Sequence, residues 1–256
     1  MNLKAVFFDM GGTIDTHTYE RSAGIKATEE IRRLLCRAGI DVHGCDEQLY
    51  EQISEGLRAY RRWREISLVE LPPEKVWPEY ILNTYPLTPG QLDGVAEDLT
   101  YIVDTRYYQR RMRPEVPEVL ETLKRMGLML GVISNIQSRG QVPDDLNRYG
   151  IRHFFDPVVL SCEYGRRKPD PSIFRHAAGV LNVPPSACVH IGDRISRDIL
   201  GAKQAGFALA LQIRHDFKET PEPELPRPDA VLNSIAELPA LLESALISSS
   251  NASTEP

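Results

Sequence analysis

The chain has only four cysteines, Cys36, Cys45, Cys162 and Cys188, with no CxxC pair and no metal-ligand spacing. That excludes a cysteine zinc site and a disulfide framework, and fits reduced thiols in a cytoplasmic protein. No apolar run approaches the roughly 20 residues of a membrane span, so no membrane partner is expected. The amino terminus lacks the basic stretch, apolar run and cleavage site of a secretory signal. Without one, the sequon Asn251-Ala252-Ser253 has no expected role. Positive charge is not in excess either. Thirty Lys and Arg against 36 Asp and Glu leave a net charge of -6. That argues against nucleic acid, whose phosphates need clustered cations.

What remains is a soluble globular composition, 42% hydrophobic and 26% charged over 256 residues. This is enough for one large domain, or one domain with an insertion. The expected assembly is a monomer or a homodimer. The rest of the chain is organised around Ala5-Val6-Phe7-Phe8-Asp9-Met10-Gly11-Gly12-Thr13. Leu3 to Phe8 reads as a buried strand of a parallel sheet. Asp9 stands at its carboxyl end, where ligands collect in open α/β sheets. The two glycines let the backbone turn sharply beside it. A carboxylate there can attack phosphorus or carbon, or ligate a hard cation.

Three later segments share this pattern. Gly131-Val132-Ile133-Ser134-Asn135 is a strand ending in a hydroxyl and an amide. Lys168-Pro169-Asp170-Pro171 sets a lysine before a helix start. Val189-His190-Ile191-Gly192-Asp193 is a strand ending in an acid, with Asp198 five residues on. Each segment alone is compatible with an ordinary cap or turn, since Asp is a favoured N-cap residue. Four in this order, each at a strand or helix end, are not.

Between the first strand and Pro114 the strand–helix alternation stops. Residues 17–113 read as helices: Ala23 to Ala38, Asp46 to Ser67, one from Pro72-Pro73-Glu74, and one from Thr88-Pro89-Gly90-Gln91 to about Arg111. Arg61-Arg62-Trp63-Arg64 is the most basic point of this insertion, and is expected to be a solvated face with Trp63 packed inward. From Pro114 the alternation resumes. Helices are expected at Val116–Met126, Asp144–Tyr149, Pro171–Leu181, Ile195–Ala205 and Ser234–Leu246. Strands are expected at Leu128–Ile133, Val158–Leu160, Ala187–Ile191, Phe207–Ile213 and Ala230–Leu232. The expected fold is α/β: a Rossmann-like parallel sheet with helices on both faces, plus an all-helical cap. The expected organisation is a core of 1–16 and 114–247, a cap of 17–113, and a disordered tail of 248–256.

Acid, hydroxyl, lysine and acid pair in this order resemble the haloacid dehalogenase superfamily of phosphohydrolases. The resemblance runs from about Leu3 to Leu211, and over His17 to Arg113 only in position and helical character. It implies a Mg²⁺-dependent phosphatase of a small phosphorylated metabolite, with Asp9 as nucleophile forming an aspartyl-phosphate. It implies Mg²⁺ held by Asp9, Asp193 and the main-chain carbonyl of Gly11. Ser134 and the backbone at Asn135 would bind the phosphate. Lys168 would neutralise charge, Asp198 would orient it or a metal-bound water, and Thr13 would hydrogen-bond within the loop. The family's first motif usually has a second Asp two residues after the nucleophile, as general acid and base; here that residue is Gly11. Asp15, His17 and Glu20 are the nearby candidates to replace it. Two other readings are a non-catalytic protein binding a phosphorylated ligand or a partner, and a hydrolase of carbon–halogen or carbon–phosphorus bonds.

Overall fold

The computed structural model describes residues 2–214 and 225–251, the last five by backbone alone. In chain order the strands are β1 Ala5–Phe8, β2 Asp15–Tyr19, β3 Tyr108–Met112, β4 Met129–Ser134, β5 Val158–Leu160, β6 Cys188–Gly192, β7 Leu209–Ile213 and β8 Ala230–Leu232. The helices are α1 Arg21–Arg37, α2 Asp46–Ser67, α3 Pro73–Val76, α4 Ala96–Arg106, α5 Val116–Arg125, α6 Gln141–Arg148, α7 Ser161–Tyr164, α8 Pro171–Val180, α9 Leu200–Ala205 and α10 Leu238–Asn251. Wide π-type turns, Trp77–Ile81 and Ile195–Ile199, follow α3 and precede α9.

Six strands form one parallel sheet in the order β5-β4-β1-β6-β7-β8. Side chains of a strand alternate between its two faces. Val6 and Phe8 therefore join Val132, Val189 and Ile191 on one face, under Leu120 of α5, Leu146 of α6 and Leu242 of α10. Ala5 and Phe7 turn to the other face with Ile133 and Cys188, under Phe174 and Ala177 of α8 and Ala202 of α9. Both faces are covered, which accounts for the near-continuous apolar runs of these strands. The inserted helices have an apolar cluster of their own, including Ile31 and Leu35 of α1, Leu49, Ile53 and Tyr60 of α2, and Leu99 and Val103 of α4.

The insertion departs from the all-helical expectation in one respect. Asp15–Tyr19 and Tyr108–Met112 pair as a two-stranded antiparallel ribbon, with His17 opposite Arg110. The fourth helix begins at Ala96 rather than Thr88 and stops at Arg106 rather than near Arg111. Gly90, at φ +77°, takes up a turn before it. Beyond it, half-buried and exposed residues alternate from Tyr108 to Met112. That is the period of a strand. The ribbon grows out of the Asp9 loop, since Asp15 N–H donates to the Met10 carbonyl at 3.1 Å and Arg113 N–H to that of Ile14 at 3.0 Å. At the other end of the chain, α10 continues through 248–251 in place of the expected tail; residues 252–256 lie outside the described residues.

Candidate active site

β1 is central, and its neighbours β4 and β6 lie on opposite sides of it. Their carboxyl ends bring Asp9, Ser134 and Asp193 to one crevice, at the point where the strand order reverses. A cavity of about 330 Å³ opens there. Asp9, Gly11, Ser134, Asn135, Lys168, Asp193 and Asp198 all line it, as expected from sequence. Thr13 does not. Its side chain is fully buried behind the loop, and its hydroxyl finds no hydrogen-bond partner among the described residues. The loop is closed by main-chain bonds to the Met10 carbonyl instead, so the Thr13 hydroxyl is not needed there.

Lys168 is the hub. Its Nζ donates to Asp9 Oδ1 and to Asp198 Oδ1, each at 2.6 Å. Asn135 holds the lysine main chain from both sides, its Nδ2 donating to the Lys168 carbonyl at 2.9 Å and its Oδ1 accepting the Lys168 N–H at 2.8 Å. The Asn135 amide is therefore spent on placing Lys168, and only its backbone is offered to a ligand. Asp198 Oδ2 accepts the Arg194 N–H at 3.1 Å, and His190 Nε2 lies 3.0 Å from Asp198 Oδ1. His190 is wholly buried, edge-on to Phe174. Gly12, at φ +91°, is required where it stands, because a Cβ on it would lie 2.5 Å from Asp193 Oδ2.

The charges are strongly coupled. Burial raises the Asp9 pKa above the ordinary carboxylate value, and Lys168 offsets this only in part. Burial, with Asp9 and Asp198 as like-charged neighbours, pushes Asp193 up to about 8. Burial would also raise Asp198, but Lys168 and His190 outweigh it and hold that carboxyl below its usual range. Burial opposes the Lys168 charge, and Asp198 and Asp9 overcome it, leaving its pKa raised. Asp9, Asp193 and Asp198 offer carboxylate oxygens that all lie within 4.8 Å of one another. Three carboxylates face the Lys168 ammonium and the Arg194 guanidinium, whose Nε lies 3.4 Å from Asp193 Oδ2; this still leaves a deficit of positive charge, which a divalent cation with hard oxygen ligands would meet. The donor set thus fits Mg²⁺. The two oxygens of Asp198 already serve Lys168, His190 and Arg194, so Asp9 and Asp193 are the carboxylates left for a cation.

The inserted segment supplies much of the remaining wall. Arg61 and Arg64 of α2, His17 of β2, and Tyr108 and Arg110 of β3 line the cavity, together with Arg194 and Arg197. The solvated-face expectation holds for Arg61 and Arg62, which are exposed, although Arg61 also lines the cavity; it is corrected for Arg64, three residues on, which is half-buried and paired with Glu70 at 3.0 Å. Trp63 is 37% exposed rather than packed inward, and Tyr60, 1% exposed, fills the interior position instead. Glu70, beyond α2, was not anticipated. It is buried and accepts from Tyr60 and Arg64 on one side and from Ser161 and Arg167 on the other.

Of the candidates to replace the missing acid, Glu20 is exposed and outside the cavity wall. Asp15 is buried behind the loop, with Arg110 Nη1 at 3.3 Å and the Tyr149 hydroxyl donating to it at 3.1 Å. Burial pushes the Asp15 pKa up to about 7, with Asp145 and Asp9 adding and Arg110 and Tyr149 opposing. A raised acid binds its proton more tightly in the fold than in the unfolded chain. Its contribution to stability is therefore full below about pH 4 and is lost as pH rises through about 7. Asp15→Asn removes that titration. The melting temperature of the variant relative to wild type should thus climb between pH 4 and 7; a constant difference would contradict the assignment.

Comparison with known proteins identifies the family. Residues 3–206 match the family model of haloacid dehalogenase-like hydrolases. The chain belongs to that family and is a hydrolase. It is similar to a glyceraldehyde 3-phosphate phosphatase of Methanopyrus kandleri, 32% identical over 253 residues that cover 92% of this chain and 98% of that protein. It is also similar to the N-acylneuraminate-9-phosphatase of Mus musculus, 29% identical over 170 residues, 66% of each protein. Among solved structures, a HAD phosphatase from Thermococcus onnurineus superposes with a TM-score of 0.62 at 23% identity, covering 94% of this chain and 98% of the other. A 2-haloacid dehalogenase from Pseudomonas syringae superposes with a TM-score of 0.61 at 26% identity, covering 94% and 99%.

Proposed function

We propose that the protein is a Mg²⁺-dependent phosphatase of a small phosphorylated metabolite, acting through an aspartyl-phosphate on Asp9. The observation that carries this reading is the Asp9–Lys168–Asp198 chain beside Asp193 at the mouth of β1 and β6. Asp9 is the nucleophile, its attacking oxygen steered by the bond from Lys168. Lys168 neutralises the developing charge on the phosphoryl oxygens, as a compact point charge. Asp198, braced by His190, holds Lys168 from behind, and Asn135 fixes its main chain. Ser134 and the backbone at Asn135 bind a phosphoryl oxygen. Asp9, Asp193 and the Gly11 carbonyl would hold Mg²⁺, which when bound offsets the charge between the carboxylates and the phosphate.

In the same reading, residues 1–16 and 114–247 are the catalytic core and 17–113 the cap that selects substrate. Arg61, at the cavity wall, favours a polar or anionic remainder on the metabolite, while Arg197 beside it is already paired with Glu65 at 2.9 Å. The similarity to glyceraldehyde 3-phosphate phosphatases supports sugar and triose phosphates as the first compounds to test. The acids fit hydrolysis of a phosphate better than that of a carbon–halogen bond, which has no need of a cation.

The test is a screen of phosphorylated metabolites with and without Mg²⁺. Phosphate release that EDTA stops and added Mg²⁺ restores is the expected result. Calorimetry should show one Mg²⁺ bound, and lost in Asp193→Asn. Turnover undiminished in EDTA would refute the metal assignment; halide release without phosphatase activity would refute the reaction.

A further inference from the structure

Position 11 has no side chain, yet the space beside it is filled. A Cβ on Gly11 would meet Arg110 Nη1 at 3.4 Å and His17 Nδ1 and Cε1 at 3.8 and 3.9 Å. Those are ordinary contact distances, and Gly11 has no positive φ, so nothing in the backbone requires a glycine there. Both side chains come from the β2–β3 ribbon. His17 and Arg110 are directly opposed, so they share one face of it, and both line the cavity. The Tyr108 ring stands edge-on to His17 at 5.5 Å and limits how it can turn. The ribbon is pinned to the loop, since Arg113 Nη2 donates to the Gly12 carbonyl at 2.9 Å.

We propose that His17 is the general acid and base of the reaction, reaching from the inserted ribbon into the volume that a side chain at Gly11 would fill. This rests on the phosphatase reading above. Arg110 shares the volume, but a guanidinium stays protonated and has no acceptor, so it cannot exchange a proton. Asp15 is turned away, its carboxylate engaged by Arg110 and Tyr149. In the first step Asp9 forms a bond to phosphorus as the bond to the leaving oxygen breaks, and the His17 imidazolium gives its proton to that oxygen. In the second step neutral His17 takes a proton from water as the water oxygen bonds to phosphorus. The Asp9–phosphorus bond breaks, the carboxylate is regenerated, and His17 is again protonated.

The experiment compares p-nitrophenyl phosphate, whose leaving group needs no proton, with glycerol phosphate, whose leaving group does. His17→Ala and His17→Gln should lose roughly 10²–10⁴-fold in kcat on glycerol phosphate. On p-nitrophenyl phosphate they should show a burst of p-nitrophenolate followed by slow turnover, because only the water step still lacks its base. Gly11→Asp in the His17→Ala background should restore much of the loss. A wild-type kcat for folded His17→Ala and His17→Gln on glycerol phosphate, with Asp9→Asn inactive, would overturn the role of His17 and leave the phosphatase reading standing. An equal loss on both substrates without a burst, unrelieved by Gly11→Asp, would overturn it too. If the folded wild type turns over no phosphate ester with Mg²⁺, the phosphatase reading fails and the inference falls with it.

Discussion

Asp9→Asn should reduce phosphate release to background while the protein stays folded. The carboxylate has two tasks in the proposed reaction, attack on phosphorus and binding of the cation, and an amide does neither well. The fold should not suffer. Asn has the shape of Asp, and Lys168 keeps its partner Asp198 at 2.6 Å. Burial already disfavours the Asp9 charge, with Asp193 and Asp198 as acidic neighbours. Removing one of three clustered acids should therefore leave the melting temperature of the metal-free protein equal or higher. Wild-type turnover in Asp9→Asn would rule out the covalent route. A large loss of stability would contradict the electrostatic account of the cluster.

The second large effect is on stability, at Glu70. Its carboxylate is wholly buried. Oε1 accepts from the Tyr60 hydroxyl at 2.8 Å and Arg64 Nη1 at 3.0 Å; Oε2 accepts from Ser161 Oγ at 2.9 Å and Arg167 Nη1 at 2.8 Å. Glu70 thus joins α2 to the segment that leads into Lys168, and its N–H donates to the Gly165 carbonyl at 3.1 Å. Burial, with Arg64 as a like-charged neighbour, already lowers the Arg167 pKa to about 10 despite Glu70. Glu70→Ala leaves that cation buried without its counter-charge, and breaking a buried pair in this way costs about 3–5 kcal/mol. For a chain of this length the melting temperature should fall by roughly 6–20 °C. Glu70→Gln, which keeps some acceptor capacity, should fall less. Pairing Glu70→Leu with Arg167→Met should recover only part of the loss, since it removes the unpaired Arg167 charge while Arg64 still loses its partner. A Glu70→Ala protein that melts like wild type would show that the junction adds nothing.

These two residues also mark what sequence could and could not show. Asp9, Ser134 and Asp193 were recognisable because each stands at the end of a strand, where a polar residue after an apolar run is a local signal; Lys168 and Asp198 were legible from their order after these, Lys168 in the loop before α8 and Asp198 in the turn before α9. The parallel sheet followed from the same alternation. Glu70 and Arg167 lie 97 residues apart, and neither has a local pattern that points to the other. His190 sits inside a strand and reads as any strand residue until Asp198 is seen against it. The β2–β3 ribbon was hidden because Tyr108–Met112 follows α4 after a single residue and holds three polar positions, which a helical reading absorbs. Arg61 and Arg64 carry a signal in their spacing, since residues three apart lie on one helix face.

The most direct test of the central claim is to trap the intermediate. Enzyme mixed with Mg²⁺ and a phosphate ester is quenched in acid within the first turnover, digested, and analysed by mass spectrometry. One phosphoryl group is expected on the peptide that carries Asp9, absent in Asp9→Asn and enriched in His17→Ala, where water attack is slowed. Rapid turnover of the same substrate with that peptide unmodified at every quench time would contradict a covalent role for Asp9.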